Sequence, residues 1–274
     1  MSTLPIALTI ASSDSGGGAG IQADIKSMQA NGVFAASVIV ASTAQNTQTV
    51  ADIHTFPLEH IAAQIDVIAD DLFPAAVKTG MLFSSEIVKL VAEKVEAHDF
   101  RPLVVDPVMI SKSGHTLLQV DAIEMMKEQL LPLATLVTPN THEAARIAGL
   151  KISTVEEARD AATAIHAMGP EAVLVKGGHL KGSSEAVDVL FDGSSFHTFT
   201  APRVETRHTH GTGCTYASAI AAQLARGRRL PEAIEEAKAY VTEAIRHGLA
   251  LGQGHGPTDH FYFLNREQTF SSAD

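Results

Sequence analysis

Short apolar runs alternate with longer amphipathic stretches along most of this chain. Ile6 to Ala11 is continuous and apolar, which predicts a buried strand, and it opens into the turn-rich Ser12–Gly20 stretch. Ile21, Ile25 and Met28 then share one face of a helix that Asn31-Gly32 stops. Val38 to Ala41 predicts the next strand, and Leu58, Ile61, Ile65 and Ile68 keep helical spacing. Ala75 to Thr79 predicts a strand ending at Gly80. Ser84 then caps a helix carrying Ile87, Val88, Val91 and Val95. Leu103–Asp106 and Thr135–Thr138 read as strands, each stopped by a proline, with a helix over 120–131 between them. Asn140 to Ala148 predicts a short helix closed by Gly149, and Thr154 with Glu157 forms a capping box for a helix ending at Gly169-Pro170. Ala172 to Val175 is a strand that leads into Lys176-Gly177-Gly178-His179.

The rhythm then changes. Val187–Phe191 and Phe196–Thr200 flank Asp192-Gly193, which predicts an antiparallel hairpin. Thr209-His210-Gly211-Thr212-Gly213-Cys214-Thr215-Tyr216 follows and runs into a small-residue helix ending near Gly227. Pro231 starts a long amphipathic helix to about Leu251, and residues 252–274 read as irregular. Strand–helix alternation, with strands too continuous for one-sided exposure, predicts a mostly parallel sheet covered on both faces. No shift of composition divides the chain, so a single domain over 1–274 is expected, with its core at about 5–263. In such sheets ligands bind outside the carboxyl ends of the strands. That rule collects Asp14 and the glycines after it, Gln45, Gly80-Met81, Asp106, Asn140, Lys176 and the Gly211–Cys214 turn.

Composition narrows the classes. The formal net charge of -11 argues against a nucleic-acid partner, and no basic or aromatic–basic array offsets it. A single cysteine excludes an internal disulfide framework and fits a reducing compartment. The start, Met1-Ser2-Thr3-Leu4-Pro5, lacks the basic region of a secretory signal, and no apolar run reaches membrane-spanning length. The expectation is a cytoplasmic protein with no membrane partner, and with no room for a fused domain after Phe261.

Several catalytic signatures are absent. There is no Walker A lysine, Gly16–Gly20 lacks dinucleotide-fingerprint spacing, and there is no serine nucleophile elbow or zinc-protease helix. His208, His210, His255 and His260 read as solvated or capping residues rather than metal ligands. The Gly211-Thr212-Gly213 turn before a helix offers unpaired amides and a positive dipole end, which is an anion site. A thiol at Cys214 in that turn is expected to have a lowered pKa. Asp106 at a strand end, and Asn140 with Glu143 on a helix start, are hard oxygen donors suited to Mg²⁺. Each of these also has an ordinary structural use as a cap or turn former. Lys176 before two glycines supplies a cation. Converging at one sheet edge, they point to phosphoryl transfer from a Mg²⁺-nucleotide.

These residues also carry a family pattern. The motifs are Ser13-Asp14-Ser15 through Asp24, Thr43-Ala44-Gln45-Asn46-Thr47, Lys78-Thr79-Gly80-Met81, Val105-Asp106-Pro107-Val108-Met109, Thr138-Pro139-Asn140 with Glu143, Val175 to His179, and Thr209 to Thr215. From about Leu8 to Phe261 the chain resembles hydroxymethylpyrimidine and hydroxymethylpyrimidine-phosphate kinases of thiamine biosynthesis, in the ribokinase-like superfamily. The resemblance implies an α/β/α three-layer fold and a dimer. It also implies ATP- and Mg²⁺-dependent phosphorylation of an aminopyrimidine alcohol, then of its monophosphate. By the same resemblance Gln45 reads the aminopyrimidine edge, Met81 and Val108 line the ring pocket, and Asp24 and Gly20 lie near it. Asn140 and Glu143 belong to the Mg²⁺-nucleotide network, with Asp106 as a further metal candidate. Lys176 contacts phosphate, and Gly211, Thr212, Gly213 and Cys214 form the anion hole. Related sugar kinases carry an aspartate where Cys214 stands. An aspartate would repel an anionic monophosphate, whereas a thiol can be neutral when the phosphate enters and, as a weak base, still take the alcohol proton in the first step. Ser12 departs from the usual glycine and adds a Cβ and a hydroxyl beside the pocket. Two other readings stay open: a pyridoxal kinase of the same superfamily, and a non-catalytic pyrimidine-binding protein.

Overall fold

A computed structural model describes residues 4–109, 117–178, 180 and 184–264. The motif residue His179 and the end of the chain from 265 lie outside the described residues. Among the described residues nine strands form one sheet in the order β3-β2-β1-β4-β5-β6-β7-β8-β9. They are β1 (Ile6–Asp14), β2 (Phe34–Gln45), β3 (Val50–Thr55), β4 (Ala76–Thr79), β5 (Leu103–Val105), β6 (Leu136–Val137), β7 (Val173–Val175), β8 (Glu185–Phe191) and β9 (Phe196–Pro202). The six central strands from β2 to β7 pair in parallel, while β3 at one edge and the β8–β9 hairpin at the other are antiparallel.

The helices are α1 (Gly20–Ala30), α2 (Leu58–Asp71), α3 (Ser85–Ala97), α4 (Val120–Met125), α5 (Thr141–Ala148), α6 (Val155–His166), α7 (Thr212–Ala225) and α8 (Leu230–Arg246). They divide between two apolar clusters, and the period of two along the strands decides which residue enters which. Leu8, Leu103, Val105, Val137, Val173 and Val175 point to the cluster with α2 to α6. Ala7, Val104, Leu136 and Leu174, their chain neighbours, point to the cluster with α1, α7 and α8. Each fully buried aliphatic side chain contributes about 1.5–3 kcal/mol of transfer free energy, so both faces are held independently.

Local expectations hold in most places. Ser84 caps α3 by accepting from the Ile87 amide, and Asn140 and Thr154 each close a capping box with Glu143 and Glu157. Three differ. β3 was not foreseen: its six residues, VADIHT, hold no apolar run, and all but Val50 keep solvent contact at the sheet edge. The helix expected over 120–131 turns π-helical at Met126–Leu130 and 3-10 at Leu131–Leu133 as it meets Pro132. The last helix stops at Arg246 rather than near Leu251, because His247 leaves the helical conformation.

Candidate active site

β1 is followed in space by β2 on one side and β4 on the other, so the chain order reverses there. Such a reversal opens a crevice outside the carboxyl ends of the strands. The protein has a cleft of about 550 Å³ at this place. Gln45, Met81, Val108 and Gly20 line one end of it. Asn140, Glu143, Asp106, Lys176 and the Gly211–Cys214 turn line its middle, and Val204, Glu205, Val241, Thr242 and Ile245 line its far end.

The anion turn is built by close backbone contact. Gly211 has φ 79°, and a Cβ there would lie 1.8 Å from the Gly18 carbonyl oxygen. Only glycine fits both demands. Gly20 is constrained in the same way, with φ 56° and a virtual Cβ 2.4 Å from the Ser12 carbonyl oxygen. No side chain caps α7; the Thr212 amide donates to the Thr209 carbonyl, and those of Gly213 and Cys214 remain for an anion. A Cβ on Gly213 would stand 3.4 Å from Lys176 Nζ and 3.6 Å from Asp106 Oδ2, which places the turn, the cation and the carboxylate at one point. Thr212 takes a structural share, its hydroxyl donating to the Thr209 carbonyl at 2.8 Å.

Lys176 Nζ donates to Asp106 Oδ1 at 2.9 Å. Burial works against its charge, but the carboxylates of Asp106 and Glu143 outweigh burial and raise its pKa, so it is a cation. The second oxygen of Asp106 is buried and has no hydrogen-bond partner among the described residues. Glu143 is differently placed. Its Oε2 accepts from the Asn140 amide at 2.8 Å, while Asn140 Oδ1 accepts from the amides of His142 and Glu143. Burial pushes the Glu143 carboxyl up to about 7, with Lys176 opposing and Asp106 adding to the rise. Among the described residues no group of three or more His, Cys, Asp or Glu side chains is arranged to hold a metal ion. A Mg²⁺ arriving with a nucleotide fits the free Asp106 oxygen. It does not fit the Glu143 oxygen that closes the helix cap.

Cys214 keeps part of its surface open to the cleft. The lowered pKa expected from the helix start is not what the structure gives. Burial pushes the thiol up to about 12; Lys78 and the Gly20 amide pull it down, and Asp24 and Asp106 push it further up. Desolvation exceeds the dipole here, and the free thiol is neutral.

Asp24 does not line the cleft. It is fully buried, takes Lys78 Nζ at 2.9 Å on both oxygens, and accepts from Thr9 Oγ1 at 2.6 Å and Ser218 Oγ at 2.7 Å. Lys78, which the sequence did not single out, is the member of that pair that reaches the cleft. Ser12, the departure from the family pattern, donates its hydroxyl to the Met81 carbonyl at 2.9 Å and so ties β1 to the segment after β4.

The sequence also undervalued His210. It is buried rather than solvated, and its Nε2 lies 3.0 Å from Asp14 Oδ2. Asp14 further accepts from the amides of Gly16, Gly18 and Ala19 at 2.8, 3.1 and 2.8 Å, and so shapes the whole glycine loop. His260 is buried as well, against Thr215. The apolar wall given by α8 carried no readable motif, since Val241 and Ile245 look like any amphipathic helix.

Comparison with known proteins bears on this arrangement. A sequence model described as phosphomethylpyrimidine kinase matches residues 14–259. The hydroxymethylpyrimidine/phosphomethylpyrimidine kinase of Bacillus subtilis is 48% identical over 257 residues, covering 94% of this chain and 95% of that protein. The thiamine biosynthesis bifunctional protein ThiED of Geobacter sulfurreducens is 51% identical over 253 residues, but this chain spans only 51% of its length. The solved pyridoxal kinase of Staphylococcus aureus, in complex with AMP-PCP and pyridoxal, superimposes with a TM-score of 0.89 at 36% identity, covering 96% of each chain. The three layers and the late hairpin are therefore ribokinase-like. With the family pattern matched from the end of β1 to the segment after α8, the chain belongs to the phosphomethylpyrimidine kinases.

Proposed function

We propose that this chain transfers the γ-phosphoryl group of ATP to the hydroxymethyl group of 4-amino-5-hydroxymethyl-2-methylpyrimidine, and then a second phosphoryl group to the monophosphate. The observation that carries the reading is the convergence of Lys176, Asp106 and the uncapped start of α7 at one point between two ends of a single cleft. One end offers Gln45, Met81 and Val108 to the ring. The other offers an apolar wall for the nucleotide base.

The roles follow from the chemistry of each group. Gln45 donates and accepts at once, which suits an amine beside a ring nitrogen. Lys176 and the amides of Gly213 and Cys214 stabilise charge on the transferred phosphoryl group. Asn140 holds the start of α5 against the nucleotide. Asp106 would help to hold a Mg²⁺ brought in with the nucleotide, which would supply neutralisation of phosphate charge. The thiol, neutral in the free protein, leaves the site uncharged when a monophosphate enters. A loose transition state asks little of a base, so the alcohol proton is taken late, by the minor thiolate form of Cys214, which becomes the thiol. A homodimer in the cytoplasm is part of the same reading. No helix among the described residues is long and apolar enough to cross a membrane.

The deciding experiment is product analysis with the pyrimidine alcohol and Mg-ATP. Monophosphate followed by diphosphate is expected, and a monophosphate that never proceeds would remove the second step. Cys214→Asp should harm the monophosphate reaction more than the alcohol reaction; equal loss would end the repulsion account. Pyridoxal phosphorylation is the second reading, favoured by the backbone likeness to a pyridoxal-bound kinase. Comparing kcat/KM for the two alcohols separates them.

A further inference from the structure

The ring end of the cleft holds a chain of polar groups whose protons can be counted. Asp14 is buried, and burial favours its neutral form. The bond to His210 and those from the loop amides outweigh that and keep its carboxyl below the usual range. A carboxylate only accepts. His210 Nε2, 3.0 Å from Asp14 Oδ2, therefore carries a proton. The same nitrogen lies 3.5 Å from Gln45 Nε2, so two donors face each other. On the far side of the amide, Thr43 Oγ1 lies 3.2 Å from Gln45 Oε1 and 3.1 Å from the Ser13 carbonyl oxygen. Its single proton is claimed by two acceptors.

Turning the Gln45 amide by half a revolution removes the donor–donor contact and frees the Thr43 proton for one acceptor, the single His210 N–H then being shared between Asp14 Oδ2 at 3.0 Å and the amide at 3.5 Å. Oε1 then accepts from His210 Nε2–H. Nε2 donates to Thr43 Oγ1, which gives its own proton to the Ser13 carbonyl. No donor faces a donor, and one N–H and one lone pair of Gln45 remain for the cleft.

We propose that His210, held by Asp14, fixes the sense of the Gln45 amide and so makes it a specificity-determining positioning residue. The pocket then accepts a ring edge that presents its amine and ring nitrogen in one order. A ring with a hydroxyl but no nitrogen beside it can satisfy only the acceptor end of the locked amide and leaves its N–H unpaired. This rests on the aminopyrimidine reading of the cleft, though the proton on His210 does not.

Two measurements test it. Long-range ¹H–¹⁵N NMR of the free enzyme should show His210 protonated at Nε2; an unprotonated Nε2 overturns the proposal whatever the substrate. Steady-state kinetics then compare the pyrimidine alcohol with pyridoxine in wild type, His210→Met and His210→Gln. Wild-type turnover of the pyrimidine alcohol reports on the functional reading by itself. His210→Met should raise KM for the pyrimidine about tenfold, leave kcat within about twofold, and lower the pyrimidine-to-pyridoxine ratio of kcat/KM about tenfold. His210→Gln must turn an N–H toward Asp14, so it should restore KM to within about threefold. Equal losses in both variants, or equal losses for both substrates, would show a merely structural histidine and overturn the proposal.

Discussion

Replacing Lys78 by methionine tests how the floor of the cleft is held. Lys78 and Asp24 are both fully buried, and the ammonium lies 2.9 Å from each carboxylate oxygen. Without it, Asp24 keeps only the hydroxyls of Thr9 and Ser218. Leaving one member of a buried pair uncompensated costs about 3–5 kcal/mol, whereas removing both charges is often nearly neutral. Lys78→Met should therefore lose about 3–5 kcal/mol of stability at pH 7, or roughly 6–20 °C in Tm at this chain length. Adding Asp24→Asn should recover at least about 2 kcal/mol of that loss. Guanidinium unfolding of wild type, both single variants and the double variant closes the cycle. Burial disfavours the charged Lys78, yet Asp24 and the other nearby negative groups raise its pKa above the ordinary 10.5. The pair's contribution is therefore complete below that value and lost only as pH rises through the higher folded value. A loss under about 1 kcal/mol in Lys78→Met, or a double variant as unstable as the single, would refute the reasoning.

Three further outcomes are expected. With its thiol pushed up to about 12 from an ordinary 9.0, Cys214 loses about 10³ in thiolate fraction at pH 8 and regains part of that in nucleophilicity, so it should alkylate about 30–60-fold more slowly than free cysteine, and an equal rate would contradict the raised pKa. His260, whose pKa burial lowers from 6.5 to about 4, stays neutral in the fold while the unfolded chain takes up a proton. Stability should thus be complete above pH 6.5 and fall by about 3 kcal/mol on going to pH 4, a slope that His260→Gln should flatten in pH-dependent denaturation. Gly211→Ala should cost about 1–2 kcal/mol for its left-handed conformation alone, with the clash on Gly18 added, and should lower kcat/KM at least about a hundredfold.

The sequence made most of the sheet and the middle of the cleft legible because both are written locally. Strand runs, proline stops and capping boxes each lie within a few residues. What escaped it depends on partners far along the chain. Asp24 reads as an ordinary helix residue until Lys78 is folded against it. His210 reads as solvated until Asp14, 196 positions earlier, closes on it. The thiol of Cys214 was misjudged because a helix start is visible in sequence, while the depth of the surrounding pocket is not. β3 lacked any signal, since an edge strand with two wet faces needs no apolar alternation.

The two apolar clusters also set a timetable for the chain's own synthesis. The layer of α1, α7 and α8 joins the first helix to the last two, through an apolar cluster that includes Met28, Tyr216 and Ile220 and through Ser27 Oγ on the Thr215 carbonyl. A ribosome adding about 5–20 residues per second needs roughly 10–40 s between releasing α1 and releasing α8. Throughout that interval α1 and one face of the growing sheet lack their cover, while the opposite layer can already close. The phosphate turn is the joint between β9 and that late cover. The nascent chain therefore gains its ring pocket wall early, and its capacity for phosphoryl transfer only when the last third of the polypeptide docks.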